Sequence, residues 1–311
     1  MNWKKKLLAL GLSLALTLSL AACGQKTAAP EQTDEPAQTE EPAEAPETPD
    51  DTAAFKIAAL KGPTAMGLVE LMSLSDTVNE MMEGKEDVVS TGNTYEFTLA
   101  GSADEVTPLL IKGELDMACV PANLAAVLYG KTDGTPEYAL RYLLSENGID
   151  PDNDVTIDWK SEHSECVAAL ASGQAAIALL PQPFVTVAQT KIEGLRMALD
   201  LTAEWDKLDN GSGLITGVIV ARREVVDANP DAVDAFLKDY AASVEWVNGN
   251  TAEAAQLISE YGIVEAAPVA EKALPYCNIV CITGSEMKEK LFGYLQVLSD
   301  AEPASVGGAP L

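Results

Sequence analysis

The chain has 311 residues, and its 48 Asp and Glu against 20 Lys and Arg give a formal net charge of −28. A nucleic-acid surface needs clustered Lys and Arg, which this balance excludes. One histidine, His163, is too few for a His-rich zinc site, so neither a metal nor a cofactor is expected.

The N-terminus has a basic start, Met1–Lys6, then an apolar run, Leu7–Leu20, too short to span a bilayer. Small residues and a cysteine follow: Leu20-Ala21-Ala22-Cys23. Basic, apolar and small segments in that order make an export signal. Its end resembles the bacterial lipobox, which implies cleavage before Cys23 and a lipid on the Cys23 sulfur. Residues 1–22 are thus the expected signal. Residues 24–51 are rich in Pro, Glu, Ala and Thr, with no aromatic and no aliphatic larger than alanine. Such a segment cannot bury enough apolar surface to order itself, so residues 23–51 are expected to be a lipidated cysteine and its tether. A flexible stretch of that length reaches roughly 30 Å. After Leu20 no apolar stretch is long enough to span a membrane.

The apolar run Phe55–Leu60 predicts a strand, and Lys61-Gly62-Pro63-Thr64 a turn into a helix from about residue 66. Two later blocks align without a gap at a shift of 60 residues: Gly101–Leu128 on Ser161–Ala188. Glu105 matches Glu165, Leu110 matches Leu170, Gly113 matches Gly173, Ala118 matches Ala178 and Pro121 matches Pro181. Self-similarity of this kind marks a repeated supersecondary unit. The preceding strands correspond too, Tyr95–Leu99 with Val155–Trp159. Each block predicts a strand, a polar turn, a helix ending near glycine, a buried strand (Leu115–Val120 or Ala175–Leu180), and a Pro-containing turn into another helix. Strands alternating with helices predict a parallel-type sheet. Ligands bind such sheets at the carboxyl ends of the strands.

The repeat is incomplete. The first copy opens with strand 55–60. The second opens with a helix, about Pro136–Asn147, and only Tyr129–Gly134 separates it from the helix before. The expected second unit lacks its first strand. Farther on, Leu195–Asp200 and Leu214–Arg222 predict strands. Pro230 opens a helix with Val233, Phe236, Leu237, Tyr240 and Val244 at helical spacing. Thr251–Tyr261 and Ser285–Leu298 predict further helices. Cys119 and Cys166 sit in apolar patterns and are expected to be buried thiols. Cys277 and Cys281 lie in the strand-like run Tyr276–Gly284; in a strand, four residues span about 13 Å, too far for a disulfide, whereas in a helix the pair could meet.

Together, the lipobox, the tether, "LKGPTAMGL", "GSADEVTPLLIKGELDMACVPANLAAVLY", "TPEYALRYLL", "ALLPQPF" and "ITGSEMKEKL" resemble the solute-binding lipoproteins of bacterial ABC importers. Within these, the chain is similar to the nitrate/sulfonate/taurine group, whose fold is shared by thiamine-pyrimidine synthases. The resemblance implies an α/β fold of the type II periplasmic-binding-protein kind, with two hinged lobes around a cleft. Residues 52–130 and 214–311 would form one lobe and 131–213 the other. It also implies a ligand held by Thr64, Ala65 and Met66, by Gly101 and Ser102, and by Pro121, Ala122 and Asn123. Thr135, Glu162, His163, Pro181, Gln182, Thr216 and Gly217 complete the set. The implied partners are a small solute, an ABC permease with its ATPase, and the membrane through the lipid on Cys23. The expected place is the outer face of the cytoplasmic membrane, as a monomer. Relative to this group the chain is short between Leu128 and Thr135 and after Gly308.

No catalytic set is evident. His163 beside Glu162 or Glu165 is the only candidate base, and a ligand-contacting role suits it better. A pyrimidine-precursor synthase and a sensory lipoprotein are the alternatives, and Cys23 argues against the first. Turns rich in N–H groups and hydroxyls suit an anion such as a sulfonate. None of them carries an arginine, and Arg141, Arg222 and Arg223 are the nearest. That favours a neutral or weakly anionic organic solute.

Overall fold

Strand β1 (Ala54–Leu60) is buried along most of its length and pairs on both sides. The computed structural model describes residues 52–82, 92–130 and 135–308, all within one compact unit, Glu47–Leu311. The expected signal, Cys23 and the tether lie outside them. After β1 come α1 (Pro63–Met66), α2 (Val69–Met82), β2 (Thr94–Ala100), α3 (Ala103–Lys112), β3 (Met117–Pro121) and α4 (Ala122–Gly130). Then follow α5 (Thr135–Glu146), α6 (His163–Ala171), α7 (Phe184–Lys191), α8 (Leu201–Asp206) and β4 (Gly217–Ala221). The last are α9 (Arg223–Ala228), α10 (Pro230–Gly249), α11 (Thr251–Glu260), α12 (Ala267–Ala273) and α13 (Gly284–Ala301).

The sheet order is β2-β1-β3-β4. β1 is parallel to β2 and β3, and β4 returns antiparallel to β3. One face carries Phe55, Ile57, Met117 and Cys119 and is covered by α2, α10 and α11. On α10 the predicted helical stripe is real: Phe236 and Val244 are buried, and Val233, Leu237 and Tyr240 pack beside them. The other face carries Ala58, Ala118 and Val120 under α3. A third cluster, around Trp205 and Tyr294, joins α4, α5, α8 and α13 and lies off the sheet.

One buried hydroxyl ties the first turn to α10. Ser243 Oγ donates to Gly67 O at 2.8 Å and accepts from Leu71 N–H at 3.2 Å. It is fully buried, so its removal orphans two backbone groups with no water to replace it.

The repeat is structural as well as textual. Glu105 N bonds Ser102 O as Glu165 N bonds Glu162 O. Gly113 N bonds Leu110 O as Gly173 N bonds Leu170 O, and Glu114 N bonds Leu109 O as Gln174 N bonds Ala169 O. Both glycines are left-handed, with φ of 77° and 72°, a conformation that costs other residues strain. α3 and α6 are therefore the same element in two settings.

The settings differ. The strands expected at Val155–Trp159, Ala175–Leu180 and Leu195–Asp200 are not formed. Neither is the one expected in Tyr276–Gly284, which follows a short helical turn without joining a ladder. The reason is the position of the strand that the second copy lacks. In the first copy β1 lies between β2 and β3 and holds both. Without its counterpart, 155–159 and 175–180 have nothing between them to pair with. Val106, Leu110, Leu115, Ala118 and Val120 are buried. Their counterparts Cys166, Leu170, Ala175, Ala178 and Leu180 are all only half-buried.

All four described cysteines are free, with Cys119 buried and Cys166 half-buried. Burial pushes the thiols of Cys119 and Cys277 from an ordinary 9.0 up to about 12. Folding thus favours the neutral thiols. That stability is complete below about pH 9 and is lost as pH rises toward about 12. The urea midpoint is expected to fall across this window, and the double variant Cys119→Ala, Cys277→Ala to flatten the fall; equal slopes would contradict it. Ser243→Ala is expected to cost about 2 kcal/mol or more by urea unfolding, from the two orphaned groups. A loss below about 0.5 kcal/mol would show that Ser243 is not the tie described.

Candidate ligand-binding site

Four turns meet at one edge of the sheet. β1, β2 and β3 run parallel, so their carboxyl ends lie together, and antiparallel β4 begins there. Lys61 N, just after β1, bonds Ala100 O at the end of β2. Ala122 N, just after β3, bonds Thr216 O just before β4, and Pro121 is paired with Gly217. This edge gathers Thr64 to Met66, Gly101 and Ser102, Pro121 to Asn123, and Thr216 and Gly217.

Local geometry explains the residue types. Gly62 has φ 132° and ψ −159°, a region open essentially to glycine alone. Pro63 follows at the start of α1, where its missing N–H costs nothing. Thr64 Oγ1 donates to Leu60 O at 2.8 Å. Its one proton is used, so it offers a ligand only lone pairs. Gly217 is small of necessity: a Cβ there would stand 2.9 Å from Thr64 Cγ2. Ser102 Oγ donates to Glu105 Oε1 at 3.1 Å instead of capping α3. Ala65, Met66 and Ala122 have side chains in the core, so only their backbone could meet a ligand.

The second repeat gathers its own pair of turns. Glu162 and Glu165 form a reciprocal capping box at the start of α6; Glu165 Oε2 accepts from Ser161 N at 3.1 Å and Glu162 N at 3.2 Å. Among the described residues neither carboxylate bonds the His163 imidazole. The exposed His163 ring instead lies 4.8 Å from Phe184 of α7. Pro181 and Gln182 lead into α7, and Gln182 Oε1 accepts from Thr186 Oγ1 at 2.9 Å. The Gln182 amide nitrogen is left to donate. Thr135 is the first residue of α5. Among the described residues no hydrogen bond joins the two groups of turns.

Two arginines, Arg141 and Arg222, are committed elsewhere. Arg141 pairs with Glu137 at 2.9 Å and Asp152 at 2.8 Å. Arg222 donates to Gly113 O at 3.2 Å, near Asp116 at 3.9 Å, at the opposite end of β3 from the turns. Arg223 opens α9 on that same far side. Lys61 is a cation at this edge that the candidate residues above do not include: exposed, and in the turn after β1. Its place directly behind an apolar run was the available signal. A cavity of about 340 Å³ flanks α6, lined by Lys160, Glu165, Ala168, Ala169, Ser172 and Gln174.

Residues 129–260 match the family model described as the NMT1-like family. No curated protein sequence matches the chain. Among solved structures it is similar to an ABC transporter protein from Parabacteroides distasonis, with 21% identity, TM-score 0.67, and 83% of this chain and 96% of that one covered. It is similar to the periplasmic aliphatic sulphonate binding protein SsuA of Escherichia coli, with 12% identity, TM-score 0.62, and 82% and 90% covered. It is also similar to the alkanesulfonate-binding protein SsuA of Xanthomonas axonopodis pv. citri bound to MOPS, with 12% identity, TM-score 0.53, and 82% and 94% covered. The parallel sheet with its antiparallel return strand and its rim of strand-to-helix turns is thus the periplasmic-binding-protein fold.

Proposed function

We propose that this chain is an extracytoplasmic solute-binding protein of an ABC importer. It captures a small organic solute of the sulfonate, taurine or pyrimidine kind and delivers it to a membrane permease driven by its ATPase. One observation carries the reading: the turns at Thr64, Gly101, Pro121 and Gly217 meet at the carboxyl edge of the sheet, where α/β folds bind ligands. The likeness to an ABC transporter protein and to two sulphonate-binding proteins supports it. The lobe containing residues 52–130 and 214–311 supplies these turns. Residues 131–213 supply the opposing Glu162, His163, Pro181 and Gln182. The solute is neutral or weakly anionic, because no arginine is available at the turns, and it carries a donor for Thr64 and an acceptor for Gln182. The protein acts as a monomer, held at the membrane by a lipid on Cys23.

The test is a thermal melt of the chain from Gly24 onward with nitrate, alkanesulfonates, taurine, aminopyrimidines and short amino acids. A ligand at 100 times its Kd adds about 2.7 kcal/mol, a rise of several degrees for a chain of this size. Gly217→Ala drives a Cβ against Thr64 and is expected to remove most of that rise. A melt that no solute moves, or a rise that Gly217→Ala leaves intact, overturns the reading. Cys23→Ala is expected to abolish palmitate incorporation in bacterial cells and release the protein from the membrane fraction. Continued labelling would overturn the anchor.

A further inference from the structure

The second repeat lacks a counterpart of the strand that the first repeat places at its centre. In the first repeat, β2, α3 and β3 surround β1. In the second, residues 155–159, α6 and residues 175–180 follow with the same connection lengths, since the two blocks align without a gap. The matching bonds at the ends of α3 and α6 show that the connecting helix starts and stops alike in both. Yet over 155–159 and 176–180 no backbone hydrogen bond is made among the described residues. The apolar side chains of these segments are correspondingly open: Ile177 is 84% exposed, Trp159 45% and Val155 37%.

Which backbone groups face the gap follows from the first repeat. Thr94 N and Ala100 O bond the β1 chain, so the even-numbered groups of β2 point at β1. Ala122 N and Asp116 O bond the β4 chain, so within β3 the odd-numbered groups point at β1, while Asp116 N, just before the strand, bonds Lys56 O of β1. Shifted by 60, Thr156 and Asp158 on one side and Ile177 and Leu179 on the other face the gap.

We infer that this gap is a binding site for an extended apolar peptide, which enters as the central strand of the second repeat. The occupant's chemistry is set by what fills the same place in the first repeat. β1 is seven residues, AFKIAAL, buried along most of its length and bonded along both edges. A peptide of that kind would satisfy two rows of backbone groups at once and cover Val155, Ile157 and Ile177. A peptide adding to one free sheet edge satisfies only one row. The segments lining this site lead into the turns at Glu162 and Pro181, but the peptide proposal does not rest on the transport reading.

The probe is the acetylated, amidated peptide AFKIAAL added to the chain from Gly24 onward. Expected results are a blue shift of tryptophan emission that Trp159→Phe removes, and a rise in melting temperature. Thr156→Pro and Ile177→Pro each delete one N–H facing the gap, from opposite sides. Neither N–H is bonded in the free protein, so both variants are expected to keep the unliganded melt and to weaken the peptide at least tenfold. Should one variant fail to fold, the other decides. No emission change at millimolar peptide overturns the proposal. So does binding that survives both prolines. A peptide-free dimer in sedimentation that both prolines dissociate also overturns it, by placing a second copy in the gap.

Discussion

A strand bonded on both edges does more than add to a sheet; it decides whether its neighbours are strands at all. β1 takes this part in the first repeat. It pairs with β2 over its whole length and with β3 over Ile57 to Ala59, and its side chains enter the clusters on both faces. The second repeat is an internal control for its removal. The connecting helix keeps its opening turn and its left-handed glycine, because these are set by residues within a few positions. The flanking segments lose their ladder, because a ladder needs a partner from elsewhere in the chain. Helix and sheet thus respond differently to the same loss: local hydrogen bonds survive and non-local ones do not.

The chemistry of the rim follows from groups already occupied. Thr64 uses its proton on Leu60 O, Ser102 uses its own on Glu105, and Gln182 uses its carbonyl on Thr186. Each of these contacts is within four residues and holds the turn itself in shape. What remains is a fixed pattern of lone pairs on the first group of turns and amide protons on the second. Arg141 and Arg222 are held by Glu137, Asp152 and the carbonyl of Gly113, and Arg223 opens α9 at the far end of the sheet. Any selectivity of the proposed site would come from leftover valences of structural residues.

Most of the helices and the whole first sheet were legible in the sequence, for physical reasons that apply to each. α10 was announced by Pro230 and an apolar stripe at helical spacing, and β1 and β3 by short apolar runs bounded by turn residues. The shift of 60 residues exposed the repeat and the missing strand. The reading failed where it inferred strands from β-branched or apolar runs alone. Val155–Trp159, Ala175–Leu180 and Leu195–Asp200 have the composition of strands and lack the neighbour that would make them so. The run through Cys277 and Cys281 joins no sheet either; both cysteines pack against the main core. At the candidate site, residue types marked the turns correctly. They did not show that Ala65, Met66 and Ala122 turn their side chains inward, since burial depends on helices contributed by distant residues.

Ser243 brings in the order in which the chain can assemble. It bonds Gly67 and Leu71, which lie 176 and 172 positions before it. The core beside it includes Val247, Ala254 and Ile258, packed with Phe55, Ile57 and Met66. β4, the fourth strand of the sheet, also begins only at Gly217. The first repeat, although written first, therefore cannot complete its core until the chain has been synthesised to beyond residue 258. Contacts of such long separation make folding slow. For as long as translation continues, the apolar residues of β1 and α2 stay available to whatever keeps a nascent chain threadable.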